Sequence, residues 1–235
     1  MARTEDLLPK TAELIGKSPD ITVSFSVPGI PEINYGADIG VIIYEKMQLL
    51  GSIIDNDILV IASKIISKAE GRIVDVSQIE PSEEAYRLYE LLGRKSPQII
   101  ELILREAKDY KIENGVIIAK HRLGFVLTSA GVDGKGKDTA IILPEDPDDS
   151  AKKIMNRIEE LSGRKVAIII SDSEGRVDRA GANSLSIGVA GIEPLRINEV
   201  LDESGKVKKT EETISDMLAA QAGLLMGQRG NNLPV

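Results

Sequence analysis

The sequence predicts a mixed α+β fold, in one domain or two closely packed subdomains, and three observations predict it. Two runs of consecutive aliphatic residues, ILVIA at 58–62 and VAIII at 166–170, have the length and β-branched content of strands buried on both faces. Around them lie segments whose apolar residues recur at helical spacing and whose ends carry capping residues. A chain of 235 residues that is 42% hydrophobic also has the material for a substantial core. The second aliphatic run stops in Ser171, Asp172, Ser173, Glu174, Gly175 and Arg176. In an open sheet such an end lies at the rim where ligands bind. Oxygen donors such as Asp172 and Ser173 suit Mg2+ or Mn2+, and Arg176 can fork onto a phosphate or carboxylate. An ordinary polar strand end is the alternative reading of the same residues.

Composition removes several function classes. With 29 basic and 37 acidic residues the net charge is -8, so no global positive field draws in nucleic acid or an anionic membrane. An anionic ligand must therefore be met by local basic groups. There is no cysteine, which excludes disulfides and thiolate chemistry and fits a reducing cytoplasm. A single histidine, His121, is too few for a serine triad or a multi-histidine zinc site, so any metal must be held by oxygen. No apolar run approaches about twenty residues, and a soluble cytoplasmic protein is expected. Aromatics make up 3% with no Trp, which argues against a base-stacking platform.

In chain order, residues 3–17 predict a short amphipathic helix within an amino-terminal extension of residues 1–20, ahead of a main domain at 21–235. Residues 21–27 alternate apolar and hydroxyl side chains and predict a strand, ended by the rigid turn Pro28-Gly29-Ile30-Pro31. Asp38 predicts an N-cap for a helix to about Leu50. The strand at 57–63 runs into Ser63, Lys64, Ser67, Lys68, Glu70, Gly71 and Arg72, which read either as a phosphate cradle or as a solvated surface. Residues 82–92 and 97–107 predict two helices, capped by Ser82 and opened by Pro97. A hairpin is expected across 116–128 with His121 solvated at its turn and without a role. Residues 129–138, rich in Gly, Lys and Asp, form either a phosphate loop in which Asp133 is a metal ligand or a flexible tip. A helix is expected from Asp148 or Ser150 to Leu161, stopped by Gly163. After the central strand come a polar loop at 177–183, a strand at 185–191 interrupted by glycine where backbones approach closely, and a helix at 211–226.

Six blocks in this order resemble the coenzyme F420-0:γ-glutamyl ligase family: SKIISKAEGR (63–72), SAGVD (129–133), LPEDPDDSA (143–151), ISDSEGR (170–176), IGVAGIEPL (187–195) and LLMG (224–227). The resemblance implies a mixed α/β fold that forms an intertwined homodimer. It implies an enzyme that uses GTP or ATP with Mn2+ or Mg2+ to activate an acceptor carboxylate as an acyl phosphate, which the amine of L-glutamate then displaces. The acceptor would be F420-0, with a folate-type pterin as the alternative.

Carried over position by position, the resemblance implies nucleotide contacts at Gly29, Ile30, Pro31, Glu32, Ser63, Lys64, Lys68, Gly136, Met226, Gly227, Gln228, Arg229 and Gly230. Metal ligands would be Asp133, Asp172, Ser173 and Gln228. The family usually has Thr at the position of Ser173 and Asn at that of Gly136, and its members continue beyond Val235. In the expected mechanism Lys68 stabilises the transferred phosphoryl group, and Arg176 or Arg179 clamps a carboxylate. Two other functions fit the same residues: a metal-dependent phosphohydrolase, and a nucleotide-binding module without catalysis.

Overall fold

The computed structural model describes residues 22–136, 138–228 and 230–235. The expected amino-terminal helix and the nucleotide contact at Arg229 lie outside them. In chain order the elements are α1 (Ile39–Gln48), β1 (Asp57–Ala62), α2 (Ser63–Ala69), β2 (Ile73–Asp75), α3 (Glu83–Leu92), α4 (Pro97–Glu106), β3 (Ala107–Glu113), β4 (Val116–His121), β5 (Val126–Thr128), β6 (Asp133–Lys135), β7 (Thr139–Ile141), α5 (Pro147–Ser162), β8 (Val166–Arg176), β9 (Arg179–Ala190), β10 (Leu195–Leu201), β11 (Val207–Thr213) and α6 (Ile214–Met226). The fold is mixed α+β. Among the described residues no helix is long and apolar enough to cross a membrane.

The central sheet has the order β1-β8-β9, with β8 parallel to β1 and antiparallel to β9. Ile168, Ile169 and Ile170 are fully buried, as a strand covered on both faces requires. The polar tail of this run is a correction to the sequence reading. Ser171 to Arg176 continue β8 instead of ending it, because β9 pairs with them as far as Arg176↔Arg179. The register shifts between Ile170 and Ser171, so the strand kinks where its composition changes. The expected polar loop at 177–183 is correspondingly reduced to a turn at 177–178, its remainder being β9.

Local signals account for the helices. Asp38 accepts a hydrogen bond from Val41 N–H (3.0 Å), Ser82 from Ala85, Ser96 from Ile99 and Asp146 from Asp149 (3.0 Å), each satisfying an otherwise unpaired amide in a first turn. Asp146, not Asp148 or Ser150, caps α5, with Pro147 as its opening residue. Gly188 confirms the expected close approach: a Cβ there would lie 2.5 Å from the backbone carbonyl of Pro147, so glycine lets α5 start against β9.

Several segments differ from expectation for non-local reasons. Residues 22–27 are irregular instead of a strand, since Val27 N–H donates to Val235 O (2.9 Å), and Val235 is itself buried. Residues 211–213 belong to β11, shortening the last helix to begin at Ile214. The loop at 129–138 contains β6, which forms a hairpin with β7. The ribbon β10-β11 had no sequence signal, and its Leu195, Ile197, Val200, Leu201 and Val207 are all exposed.

Two apolar clusters form the core. One joins Ile43, Met47, Ile61, Ile66, Ile158, Ile168 and Ile170 around the central sheet; the other joins Leu88, Ile100, Ile103, Ile117, Ala119 and Ile142 around α3, α4 and β4. A charged network fastens the seam. Glu106 Oε2 lies 3.1 Å from Arg122 Nε and 3.6 Å from Arg72 Nη2, and Arg72 Nη1 is 2.7 Å from Glu145. His121 is not solvated but fully buried in this network, its Nδ1 accepting Leu123 N–H (3.1 Å) and its Nε2 3.3 Å from Glu106. The hairpin turn folds back over the end of α4, which removes the imidazole from water.

The Glu106 carboxyl is held below its ordinary range, first by His121, with burial opposing and both arginines assisting. A depressed folded pKa stabilises the protein above the unfolded value of 4.5, and that contribution fades as pH falls through the lower folded value. Glu106→Gln is expected to cost about 1–3 kcal/mol in denaturant unfolding at pH 7, because it leaves the partly buried Arg72 and Arg122 short of a partner. The gap from the natural protein should narrow below about pH 4; a gap independent of pH would mean that the carboxylate's charge does not contribute.

Candidate active site

The parallel register of β1 and β8 builds the site. It pairs Ala62 with Ser171, so the next residue of each strand, Ser63 and Asp172, come side by side. Ser63 Oγ donates to Asp172 Oδ1 at 2.7 Å. The chain then turns into α2, so Ser63, Lys64, Ser67 and Lys68 stand on a short helix and not in a loop, with Ser63 and Ser67 buried against the sheet. Burial raises the Asp172 pKa, opposed by the Ser63 hydroxyl, the Ser173 amide and the charge of Lys64; the charge of Asp133 raises it further.

Asp133 opens β6 and is ion-paired with Lys64. The Lys64 ammonium therefore acts on both aspartates, 39 positions apart in sequence, as a cation shared by two acids. The backbone entering β6 is strained: Ser129, Ala130 and Gly131 have φ of 55°, 51° and 67°. Left-handed conformations at two non-glycine residues cost roughly 1 kcal/mol or more each and cluster at functional sites.

One turn further along α2, Lys68 Nζ lies 2.6 Å from Glu32 Oε1, and Lys135 Nζ is 3.8 Å from the same oxygen. The hydrogen bond from Lys68, then its charge, holds the Glu32 carboxyl below the usual range. The Pro28-Gly29 turn, with Gly29 at φ 76°, thus leads a segment that docks on α2, where Gly36 N–H also donates to Ala69 O (2.8 Å). On the other face of β8, Gln228 Nε2 donates to Ser173 Oγ at 3.1 Å, so the segment after α6 reaches the sheet beside the acids.

The structure therefore brings together Glu32, Ser63, Lys64, Lys68, Asp133 and Asp172, with Ser173 and Gln228 as a second pair. Ile30 packs on the core, and Gly136 (φ 72°) turns the β6-β7 hairpin in open space. Gly227 and Gly230 take the positive φ values, 64° and 82°, that turn the chain at Gln228. Met226 instead lines an apolar cavity of about 250 Å3 with Phe25, Leu59 and Val235. Arg176 lies 3.3 Å from Glu174, a buried acid whose pKa burial raises, while Arg179 bonds the carbonyl of Gly181 (3.4 Å). Lys135 escaped the sequence reading, although its spacing of two from Asp133 on a strand places both on one face. Among the described residues no three carboxylate or histidine side chains already converge as a metal site. The donors are nonetheless hard oxygens, and the acid pair already accommodates a cation, the ammonium of Lys64.

Residues 29–235, which include every residue of this site, match the family model described as F420-0:Gamma-glutamyl ligase. The chain belongs to this family. Similar proteins named coenzyme F420:L-glutamate ligase come from Methanothermobacter thermautotrophicus (39% identical, 88% of this chain and 84% of the relative) and Methanocaldococcus jannaschii (43%, 77% and 74%). A third comes from Archaeoglobus fulgidus (34%, 89% and 84%). The family model takes in Glu32 at one end and Gln228 at the other, so the F420-0:γ-glutamyl ligase match spans the segments that close the site.

Ser63→Ala removes the side-chain hydrogen bond from Ser63 to Asp172. It is expected to raise the Asp172 pKa further in a carboxyl NMR titration and to lower stability by about 1–2 kcal/mol. An unmoved Asp172 titration would refute the contact.

Proposed function

We propose that this chain is a ligase that joins the amine of L-glutamate to a carboxylate of coenzyme F420-0, driven by GTP or ATP. The observation that carries the reading is the convergence of two acids, Asp133 and Asp172, with two lysines of one short helix, Lys64 and Lys68. Acids that hold a cation beside lysines suited to phosphate oxygens are the requirements of phosphoryl transfer. The names of the relatives support the glutamate and F420 halves of the proposal.

In the proposed reaction the γ-phosphoryl group passes to an oxygen of the acceptor carboxylate, giving an acyl phosphate and the nucleoside diphosphate. The glutamate amine attacks the carbonyl carbon, phosphate leaves and the nitrogen loses a proton. No enzyme nucleophile is needed, which suits a chain without cysteine. Mn2+ or Mg2+, held by Asp133, Asp172, Ser173 and Gln228, would neutralise phosphate charge. Lys68, released from Glu32, stabilises the moving phosphoryl group, while the turn at Gly29–Glu32 and the Gly227–Gly230 segment bound the nucleotide. Glu32 is largely exposed and can be solvated once the pair opens, whereas the mostly buried Lys68 would exchange its carboxylate partner for a phosphate oxygen. The β10-β11 ribbon, which exposes Leu195, Ile197, Val200, Leu201 and Val207 among charged residues, suits an arm that packs on a second copy, as in an intertwined homodimer.

The test incubates the full chain with L-glutamate, Mn2+ or Mg2+ and GTP or ATP, against F420-0 and tetrahydrofolate separately, with products read by mass. A glutamyl adduct on F420-0 is expected. An adduct on the folate alone would move the acceptor to the pterins, and phosphate release without glutamate would mark a phosphohydrolase. Lys68→Ala should lower kcat/KM for the nucleotide about 100-fold or more with melting little changed; unfolding would assign Lys68 to the scaffold. Light scattering should give about twice the 25.4 kDa chain mass, and a monomer at micromolar concentration would refute the arm.

A further inference from the structure

Beside the acid pair lies a cavity of about 290 Å3 that the phosphate chemistry does not use. Its walls come from the α3-α4 linker (Arg94, Lys95), the hairpin strands and the loop after them (Ile117, Ser129) and the end of β8 (Gly175, Arg176). It touches both halves of the reaction centre in sequence, since Ser129 precedes Asp133 on its strained loop and Gly175 follows Ser173. Three cations line it. Arg94 spends part of its guanidinium on the carbonyl of Gly115 (Nε 3.0 Å), and Arg176 lies 3.3 Å from Glu174.

Lys95 differs from both. Among the described residues no carboxylate is in ion-pair contact with it, and its nearest acid influence is the through-space charge of Asp133. Neighbouring protein holds its pKa below the ordinary lysine value by partial desolvation, although the residue as a whole is exposed. It also sits at φ 63°, where a lysine has no intrinsic preference. A cavity-lining cation without a carboxylate partner among the described residues, held on left-handed backbone beside two arginines, is the arrangement that an anionic ligand would complete.

We infer that this cavity is the subsite for the incoming acidic amino acid, with Lys95 and Arg176 as the partners of its two carboxylates and Arg94 supporting them. The inference rests on the ligase reading and assigns where its second substrate binds. Both carboxylates of L-glutamate stay unreacted while its amine attacks, so each needs a cation not engaged by phosphate. Lys64 and Lys68 stand on the phosphate side of the acid pair, whereas Lys95, Arg94 and Arg176 stand in the cavity. At about 290 Å3 the space is large enough for an amino acid.

The test uses the full chain with Lys95→Gln, which keeps the side-chain stem and the backbone demand, and Lys95→Arg, which keeps the charge. Lys95→Gln should raise KM for L-glutamate at least about 10-fold, with the nucleotide and acceptor KM within about 2-fold, and Lys95→Arg should recover most of the loss. The preference for L-glutamate over L-glutamine should also narrow in Lys95→Gln, since one cation no longer selects for charge. An unchanged glutamate KM, or equal losses for all three substrates, would overturn the assignment. Direct titration of L-glutamate by ligand-observed NMR separates this inference from the ligase reading. If the natural protein forms no glutamyl product, that reading falls; weaker L-glutamate binding in Lys95→Gln would still support the subsite, and equal binding would refute it.

Discussion

The parallel register between β1 and β8 is the constraint on which the site depends. Pairing runs from Asp57↔Val166 to Ala62↔Ser171, with an aliphatic side chain on nearly every rung. A slip of one residue would turn each of these side chains to the opposite face and strand Asp172 away from Ser63. Burial of Ile61, Ile168 and Ile170 in the apolar core therefore does more than stabilise the sheet. It sets the positions of the serine, the lysines and the aspartate that follow, since α2 starts on the residue after β1 ends.

The change of pairing along β8 has a second effect. Its aliphatic half is the middle strand between β1 and β9, while its polar half, beyond the end of β1, pairs with β9 alone. One edge of Asp172 to Arg176 is thereby left to α2, to the loop before β6 and to the cavity walls. The register shift at Ile170 and Ser171 marks the junction. Asp172 is tolerable there because Ser63 donates to it, whereas Glu174 has the nearby charge of Arg176 (3.3 Å) but no hydrogen bond to its buried Oε2 among the described residues. The end of this polar half, Gly175 and Arg176, borders the cavity whose opposite wall includes Ile117 of the second cluster.

Much of this was legible in the sequence wherever the cause was local. The two aliphatic strands, the caps Asp38 and Ser82, the opening Pro97 and the close approach at Gly188 each depend on a few neighbouring residues. Asp133 and Asp172 were legible as partners because both stand in polar stretches joined to strands. The rest depends on distant residues. Nothing in SDSEGR (171–176) distinguishes a strand edge paired by β9 from a turn. His121 reads as a turn residue until α4 is laid beneath it, and residues 22–27 alternate like a strand but find their hydrogen bond at Val235. Lys95 carried no signal, since one lysine between two helices is ordinary until the cavity beside it is seen.

The placement of charge explains how a chain with a net charge of -8 could gather anionic substrates. Long-range attraction works against it, so the necessary positive potential must be short-ranged and partly enclosed. On the phosphate side each lysine holds an internal acid: Lys64 holds Asp133 and Lys68 holds Glu32. In the proposed reaction a polyphosphate with its metal ions would replace both contacts at once, the metal taking the aspartate and the phosphate the lysines, while the exposed Glu32 returns to solvent. In the cavity Lys95 has no acid to release. With Arg94 and Arg176 beside it, its charge would favour a small acidic ligand over a neutral one. Internal exchange on one side and an unmet cation on the other would let two anions bind about the same acid pair without competing for the same positive charges.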